Sequence, residues 1–240
     1  MDHRAPLLPH AATLAAPLRT ENPAMMDELG LASGYALYRA VLPTAGQGLL
    51  HFAGGVGDRA QVFLDGAPVG VLERERHDET LPVHVPRAGA TLDVLVENMG
   101  GVNYGPRIGT PKGLLGPVTF NGTGVHGWDC HPLALGDLTA VPFAPSAAAT
   151  AFEPAFHRGA FEVTEPADTF LALPGWTKGQ AWINGFHLGR YWNRGPQHTL
   201  YVPGPVLRAG GNELILLELH ATTDTRARLT DTPDLGPVNP

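Results

Sequence analysis

The feature that most constrains the fold of this chain is an internal repeat. Residues 61–70 (QVFLDGAPVG) are matched in pattern by residues 180–189 (QAWINGFHLG), at an offset of 119 residues. Each copy has an apolar run, an Asp-Gly or Asn-Gly pair and a second short run. These pairs favour a positive φ at both central positions of a tight turn. Each copy therefore predicts a β-hairpin.

The match continues downstream of both hairpins. Residues 92–97 (LDVLVE) correspond to residues 213–218 (ELILLE). Leu92, Val94 and Val96 recur with a period of two, which is typical of a half-buried strand. Two copies are too few for a solenoid, which needs at least three repeats. We therefore predict an all-β chain with two tandem antiparallel β-sandwich domains of the jelly-roll type.

The domain boundaries follow from the repeat and from composition. The chain has 240 residues, with 30 Gly and 23 Pro, which indicates many tight turns between short strands. The predicted ranges are an N-terminal lead-in (1–30), a first sandwich (31–140), a linker rich in Ala and Pro (141–154), a second sandwich (155–221), which N-terminal residues could complete, and a C-terminal tail (222–240).

Charge and hydropathy exclude several classes of function. The net charge is −7 and no run of basic residues occurs, so we expect no nucleic-acid partner. No apolar stretch reaches 18 residues, so we expect no membrane span. The first 20 residues lack the apolar core of a signal peptide, and a cytoplasmic location is expected. The only cysteine, Cys130, can form neither an intramolecular disulfide nor a cysteine-based metal site.

We predict no catalytic residue, no metal ligand and no cofactor in this sequence. The eleven histidines form no HxH or HExxH pattern, and neither serine lies in a GxSxG motif. Glycoside hydrolysis requires two carboxylates that flank the scissile bond. Asp65 is explained by its turn, while Glu97 and Glu218 occupy equivalent strand ends in the two repeats, which favours a scaffold role. The candidate carboxylates are Asp58, Asp65, Glu97, Asp129, Glu162 and Glu218.

Aromatic residues cluster between positions 176 and 192. Trp and Tyr rings can stack on the C–H faces of sugars, while Asn and Arg can bond their hydroxyls. Trp182 lies in the middle of a strand and is interpreted as core, whereas Trp176, in a Pro-Gly-Trp loop, is expected to be more open. Core packing is the alternative for the whole cluster. The candidate carbohydrate contacts here are Trp176, Arg190, Trp192 and Asn193.

Long ordered segments of the chain resemble family 35 β-galactosidases. Residues 96–105 (VENMGGVNYG) and 112–118 (KGLLGPV) resemble the part of that family that follows its catalytic barrel, and residues 175–185 and 188–192 resemble its last domain. The resemblance covers residues 23–220 and implies galactose-binding-like jelly rolls. In that family both catalytic glutamates lie on a TIM barrel, which is absent from this sequence. The resemblance therefore implies accessory domains that support a barrel, shape a galactoside cleft and hydrolyse nothing alone.

The resemblance also implies one site residue. In the family, the tyrosine of the Asn-Tyr-Gly loop lies near the galactose pocket, and here it is Tyr104 beside Asn103. The family usually has Arg after the Met-Gly pair, where this chain has Gly101, so any contact of that Arg is not carried over. Two alternatives stay open: a subunit that complements a separately encoded barrel to give β-galactosidase activity, and a free-standing galactose-binding module like a lectin. The expected partners are a galactoside-type carbohydrate and a catalytic barrel domain or chain.

Overall fold

A computed structural model describes residues 1–146, 153–222 and 224–236. The chain divides into a first unit, Ala11–Asp137, and a second unit made of Met1–His10 and Leu138–Pro240. Within these described ranges, one α-helix, α1, spans Leu7–Leu14, and two 3-10 turns span Arg74–Arg76 and Gly204–Val206. The strands are β1 (His3–Pro6), β2 (Leu18–Thr20), β3 (Gly34–Leu42), β4 (Gly46–Phe52), β5 (Val56–Gly57), β6 (Arg59–Leu64), β7 (Ala67–Glu73), β8 (Thr80–Val85), β9 (Ala90–Asn98), β10 (Gly113–Leu114), β11 (Val118–Phe120), β12 (Thr123–Gly124), β13 (Trp128–Leu133), β14 (Ala144–Pro145), β15 (Ala155–Val163), β16 (Thr169–Ala172), β17 (Lys178–Ile183), β18 (Phe186–Trp192), β19 (Thr199–Val202), β20 (Gly210–Glu218) and β21 (Arg228–Thr230).

The first unit is an antiparallel β-sandwich. A six-stranded sheet has the order β2-β13-β3-β9-β6-β7, and a four-stranded sheet has the order β12-β11-β4-β8. Tyr38 and Trp128 from the larger sheet share one buried cluster with Phe52 and Val118 from the smaller sheet. Apolar side chains of both inner faces thus build a single core, as in other β-sandwiches.

The central strand β9 is buried on both faces, not on one as its period of two predicted. Val94 is fully buried in the core, but Asp93 on the opposite face is also only 3% exposed. Arg39 on the neighbouring strand donates two hydrogen bonds to the Asp93 carboxylate, at 2.7 and 2.9 Å. A polar residue in a strand sequence is compatible with exposure to water and also with burial against a charged partner, so the pattern alone could not predict which occurs here.

The second unit repeats the sandwich architecture. Its six-stranded sheet has the order β14-β1-β15-β20-β17-β18, and its three-stranded sheet has the order β19-β16-β21. Ile183 and Leu216 from the larger sheet lie in one buried cluster with Leu171 and Val202 from the smaller sheet. The predicted fold class, two antiparallel β-sandwich domains, is confirmed.

Both predicted hairpins are present. The β6–β7 turn has Asp65 at φ 46° and Gly66 at φ 81°, and the β17–β18 turn has Asn184 at φ 51° and Gly185 at φ 82°. Two successive residues with positive φ match the turn that these dipeptides favour.

The two ends of the chain take part in the second unit. β1 pairs with β15, with His3 opposite Arg158, so residues 1–10 belong to this unit and not to a separate lead-in. β21, in the range assigned to a tail, pairs with β16, with Leu229 opposite Leu171. Both β15 and β16 accept a further strand along one edge, and local sequence does not show which segment of the chain will pair there. Residues 147–152 of the predicted linker lie outside the described residues, and residues 144–145 form β14.

Candidate functional site

The loop that connects β9 to β10 carries the first pair of candidate residues. Tyr104 is 89% exposed and Ile108 is 63% exposed. Asn103 is exposed as well. An aromatic side chain with so little burial contributes little to folding, because the hydrophobic gain scales with the area removed from water. The side chain of Tyr104 is therefore available for contact with another molecule or domain.

Both ends of this loop are tied to one buried carboxylate. Lys112 donates from Nζ to both oxygens of Asp58, at 2.7 and 2.6 Å, and to the carbonyl of Gly100 at 2.7 Å. The backbone N–H of Met99 donates to the same carboxylate at 2.8 Å, and Arg74 donates to it at 3.1 Å. We name Asp58, Arg74, Met99 and Lys112 the loop anchor. Multiple charge-assisted hydrogen bonds of this length hold the two loop ends together.

In the sequence Asp58 is only one of several candidate catalytic carboxylates, and nothing there indicates its role in the loop anchor. Its carboxylate is only 8% exposed, and Lys112 is 54 positions away along the chain. No local pattern connects two residues so far apart. The pairing arises because β5, which ends next to Asp58, lies beside β10 in a two-stranded sheet.

The aromatic cluster of the second unit is more buried than predicted. Trp176 is only 2% exposed, and its Nε1 donates to the carbonyl of Arg226 at 2.8 Å. Its ring and that of His157 form a T-shaped pair with 5.1 Å between the ring centroids. The expectation that Trp176 is open is therefore wrong, because the C-terminal segment covers its loop. Trp182 is 4% exposed, in agreement with its interpretation as core.

Trp192 and its neighbours occupy three different environments. The ring of Trp192 is partly exposed, with Nζ of Lys178 at 4.1 Å and the guanidinium of Arg194 at 4.8 Å from its centroid. These cation–π contacts orient the ring. The backbone of Asn193 donates to the carbonyl of Thr177 at 2.8 Å, while its side chain is exposed. Arg190 is exposed on β18, opposite Gln180.

A cavity of about 610 Å³ in the second unit brings three of these candidates together. Trp176, Trp192 and Asn193 line it, and Arg190 does not. The other lining residues were not among the predicted site residues. Those from Arg228 to Asp234 lie in and just after β21, within the range that was predicted to be a tail. The polar ones among the other lining residues are Thr177, Gln197, His198, Thr199, Arg228, Thr230, Thr232 and Asp234.

Glu218 is a structural carboxylate at the end of β20. Its side chain accepts hydrogen bonds from the N–H groups of Thr177 (2.8 Å), Lys178 (3.3 Å) and His220 (2.9 Å), and from the hydroxyl of Tyr191 (3.2 Å). Burial raises the pKa of Glu218, and these hydrogen bonds oppose the rise. A carboxylate with so many structural partners fits the predicted scaffold role.

Other candidate carboxylates also have structural partners. Asp65 accepts from the N–H of Thr91 at 2.9 Å and from Arg87 at 2.8 Å. Asp129 accepts from Arg19 at 3.0 Å. Within the described ranges, no group of three His, Cys, Asp or Glu residues could hold a metal ion. No helix in that part of the chain combines the length and apolarity needed to cross a bilayer.

Comparison with protein families assigns both units. Residues 23–134 match the model described as "Beta-galactosidase, first all-beta domain". Residues 154–212 match "Beta-galactosidase, galactose-binding domain". This chain belongs to the β-galactosidase family. The parts of that family that it matches are the first all-β domain and the galactose-binding domain, in agreement with the resemblance to family 35 β-galactosidases.

Curated relatives give the same family assignment and show what share of a β-galactosidase this chain covers. The β-galactosidase of Xanthomonas manihotis is 39% identical over 190 residues, which are 79% of this chain and 31% of the relative. The β-galactosidase of Homo sapiens is 38% identical over 228 residues, 85% of this chain and 33% of the relative. The chain thus spans about a third of the length of the curated β-galactosidases that it matches.

The solved structures that match this chain are distant. A lectin from Pleurotus ostreatus in complex with GalNAc has a TM-score of 0.31 and 12% identity, over 90% of this chain and 83% of the lectin. A GH2 β-galacturonidase from Eisenbergiella tayi has a TM-score of 0.29 and 14% identity, over 86% of this chain and 30% of that enzyme. TM-scores this low carry no argument about the family's β domains.

Proposed function

We propose that the two units support a catalytic barrel of a family 35 β-galactosidase and form part of the wall of its galactoside cleft. The main observation in support is that both units match β domains of β-galactosidases, while the relatives are about three times as long as this chain. Catalysis would reside in the part of the relatives that has no counterpart here. The chain alone would hydrolyse no galactoside.

Tyr104 is the residue proposed to reach the sugar, with Asn103 beside it. Its exposure, on a loop whose ends are held by the loop anchor, supports this role. A loop whose two ends are held loses less conformational freedom when it packs against a ligand than a loop with free ends. Ile108, exposed on the same loop, adds apolar surface that a barrel would cover.

The test is complementation of a barrel in trans. The chain is assayed alone with nitrophenyl β-galactoside and then titrated into the Xanthomonas manihotis β-galactosidase trimmed to the part that this chain does not match. We expect no turnover by the chain alone and a saturable increase in the turnover of the barrel. Hydrolysis by the chain alone would contradict the proposal, as would a turnover of the barrel that does not change when the chain is added.

Matched variants test Tyr104 in the same assay. Tyr104→Ala is expected to raise the KM of the complemented enzyme about tenfold, the effect of losing roughly 1.4 kcal/mol of binding. Val41→Ala is the control, because Val41 is also exposed, at 56%, in the first unit. If both variants behave like the parent, Tyr104 has no contact with the substrate.

Two alternatives remain as proposals. A subunit that complements a separately encoded barrel predicts that the complex assembles at micromolar concentrations without covalent linkage, which the same titration measures. A free-standing galactose-binding module predicts sugar binding by the chain alone. The cavity of the second unit is the observation that favours this last alternative.

A further inference from the structure

Strand β15 of the second unit is covered along one edge for only part of its length. On one side, β20 pairs with the whole of β15, from Ala155 to Val163, without a register shift. On the other side, β1 pairs with residues 155–158. In the part of the chain that the structure describes, residues 159–163 (GAFEV) therefore have a free edge, which we name the β15 edge.

The β15 edge offers backbone hydrogen-bonding groups to a further strand. Arg158 directs its carbonyl towards β1 and accepts a hydrogen bond from the N–H of Asp2 at 3.1 Å. Successive residues of a strand direct their backbone groups to opposite edges, so Ala160 and Glu162 direct theirs to the same side as Arg158. Both residues are exposed. Their N–H and C=O groups are thus available to a partner that continues the sheet where β1 stops.

A cavity adjoins the β15 edge, and we name it the edge cavity. Its volume is about 430 Å³, within the range of cavities in which proteins bind ligands. Residues 159–162 and the segment from Thr225 to Leu229 are part of its lining. Removing apolar surface from water is favourable, so such a lining favours an aliphatic side chain. The large apolar side chains that line the cavity are Met1, Phe161, Leu171, Ile183, Leu214 and Leu229.

The side chains of β15 alternate between its two faces. Phe161 and Val163 pack against the buried cluster of the second unit, so Ala160 and Glu162 lie on the other face. An added strand alternates in the same way, since paired residues of neighbouring strands share a face. Its residue opposite Phe161 would point towards the edge cavity, and the next residue would lie opposite Glu162.

Glu162 specifies the charge of that next residue. Its side chain is exposed and makes no ion pair with any residue of the described ranges. Arg226, which also lines the edge cavity, is already paired with Asp224 at 2.9 Å. Opposite charges on directly paired residues stabilise neighbouring strands, and like charges destabilise them. A lysine or arginine opposite Glu162 is therefore favoured.

The β15 edge lacks the features that protect other strand edges from pairing. Proteins protect such edges with proline, lysine or a β-bulge. Residues 159–163 contain neither proline nor lysine, and their register with β20 is regular. The edge strands β7 and β18, in contrast, each have a register shift in the pairing with their neighbour, and β7 contains Pro68. The β15 edge is thus suited to accept a strand.

We infer that the β15 edge binds an extended segment of a partner polypeptide. The segment pairs antiparallel to β15, as every strand of this sheet does with its neighbours. It places a large aliphatic side chain in the edge cavity and a basic residue opposite Glu162. In strand addition of this kind, backbone hydrogen bonds supply affinity and alternate side chains supply specificity. The inference goes beyond the proposed function, because it involves neither the Tyr104 loop nor a sugar.

The experiment is a titration of the full chain with the peptide acetyl-Thr-Val-Lys-Leu-Thr-amide. Paired antiparallel, its leucine lies opposite Phe161 and its lysine opposite Glu162. We expect saturable binding with a dissociation constant of about 1 mM, followed by NMR. Hydrogen exchange of the amides of Ala160 and Glu162 should slow about tenfold at saturation. Lack of saturation up to about 10 mM peptide, or unchanged exchange of both amides, would overturn the inference.

Two altered peptides test the chemistry of the partner. Alanine in place of the leucine should weaken binding about tenfold, because the edge cavity loses its aliphatic occupant. Glutamate in place of the lysine should weaken binding about threefold, because it lies opposite Glu162. Glu162→Lys should reverse the preference between the lysine and glutamate peptides. If all three peptides bind equally well, the assigned partner chemistry is wrong.

Substitutions of Ala160 locate the binding edge. Ala160→Pro removes one N–H of the β15 edge and should abolish binding. The variant should fold, since proline is tolerated where a strand directs its N–H to solvent. Ala160→Thr is the matched control, because it keeps the N–H, and it should bind like the parent. Equal binding by the parent and Ala160→Pro would refute the location.

A second copy of the chain is the competing occupant. In that case, raising the protein concentration without peptide would slow exchange at Ala160 and Glu162, and sedimentation would show a dimer. That result would overturn the assignment to a partner polypeptide. We expect instead that exchange of these two amides is independent of protein concentration.

Discussion

His157 makes the stability of the second unit depend on pH. It lies in β15, is 6% exposed and forms a T-shaped ring pair with Trp176. Burial lowers the pKa of His157 from 6.5 to about 4, and the positive charges of Arg4 and the N-terminal amino group act in the same direction. The folded chain therefore keeps this imidazole neutral at a pH where the unfolded chain protonates it.

The sign and size of the effect follow from proton linkage. Between pH 6.5 and about 4 the unfolded state binds more protons at this position, so acidification favours unfolding. The contribution of His157 is fully present above pH 6.5 and is lost as the pH falls towards 4. From pH 7 to pH 5 the free energy of unfolding should fall by about 2 kcal/mol on account of this residue alone.

The comparison of parent and His157→Phe isolates that contribution. Phenylalanine keeps a ring against Trp176 and cannot titrate. Urea unfolding at pH 7 and at pH 5 is followed by tryptophan fluorescence, which reports mainly on the second unit because it contains three of the four tryptophans. We expect the parent to lose about 2 kcal/mol more than the variant between the two pH values.

Two results would refute this reasoning. One is equal pH dependence in the parent and in His157→Phe, which would mean that the folded state protonates His157 as readily as the unfolded chain does. The other is the same loss of pH dependence in His84→Phe, the control, whose side chain is exposed on β8 of the first unit. That result would show that any lost histidine has the effect.

Two further substitutions test the buried charges. Lys112→Met should lower the free energy of unfolding of the first unit by about 2 kcal/mol, because Asp58 loses one cation and keeps Arg74. Hydrogen exchange at Met99 and Gly100 should rise with it, and a loop that exchanges as before would contradict the loop anchor. Glu218→Ala should lower the free energy of unfolding of the second unit by about 3 kcal/mol, because four donors lose their acceptor. A loss below about 1 kcal/mol in urea unfolding would show that these bonds contribute little.

Local sequence was sufficient for the fold class and for the hairpins. Asp65-Gly66 and Asn184-Gly185 determine their turns through backbone preferences that act over two residues. The alternation in residues 92–96 determines which side chains of β9 enter the core. The repeat of both signals at an offset of 119 residues was enough to predict two sandwiches.

The candidate sites depended on contacts between distant positions. Trp176 was predicted to be open because its loop contains Pro and Gly, yet the carbonyl of Arg226, 50 positions later, accepts its hydrogen bond. Likewise, Arg228 reaches the cavity only because β21 pairs with β16. No local sequence pattern marks Arg226 or Arg228 for these roles. A hydrogen bond to a backbone carbonyl and the pairing of a strand with an open sheet edge both depend on backbone groups that every residue has.

The predicted absence of a catalytic carboxylate pair rested on sequence patterns alone. The repeat indicated that Glu97 and Glu218 are equivalent scaffold residues, and the structure gives Glu218 its reason: four donors converge on a buried carboxylate. For Asp58 the sequence could supply no reason at all. Its partners Lys112 and Arg74 come together only in the folded first unit, because ion pairing depends on distance in space and not along the chain.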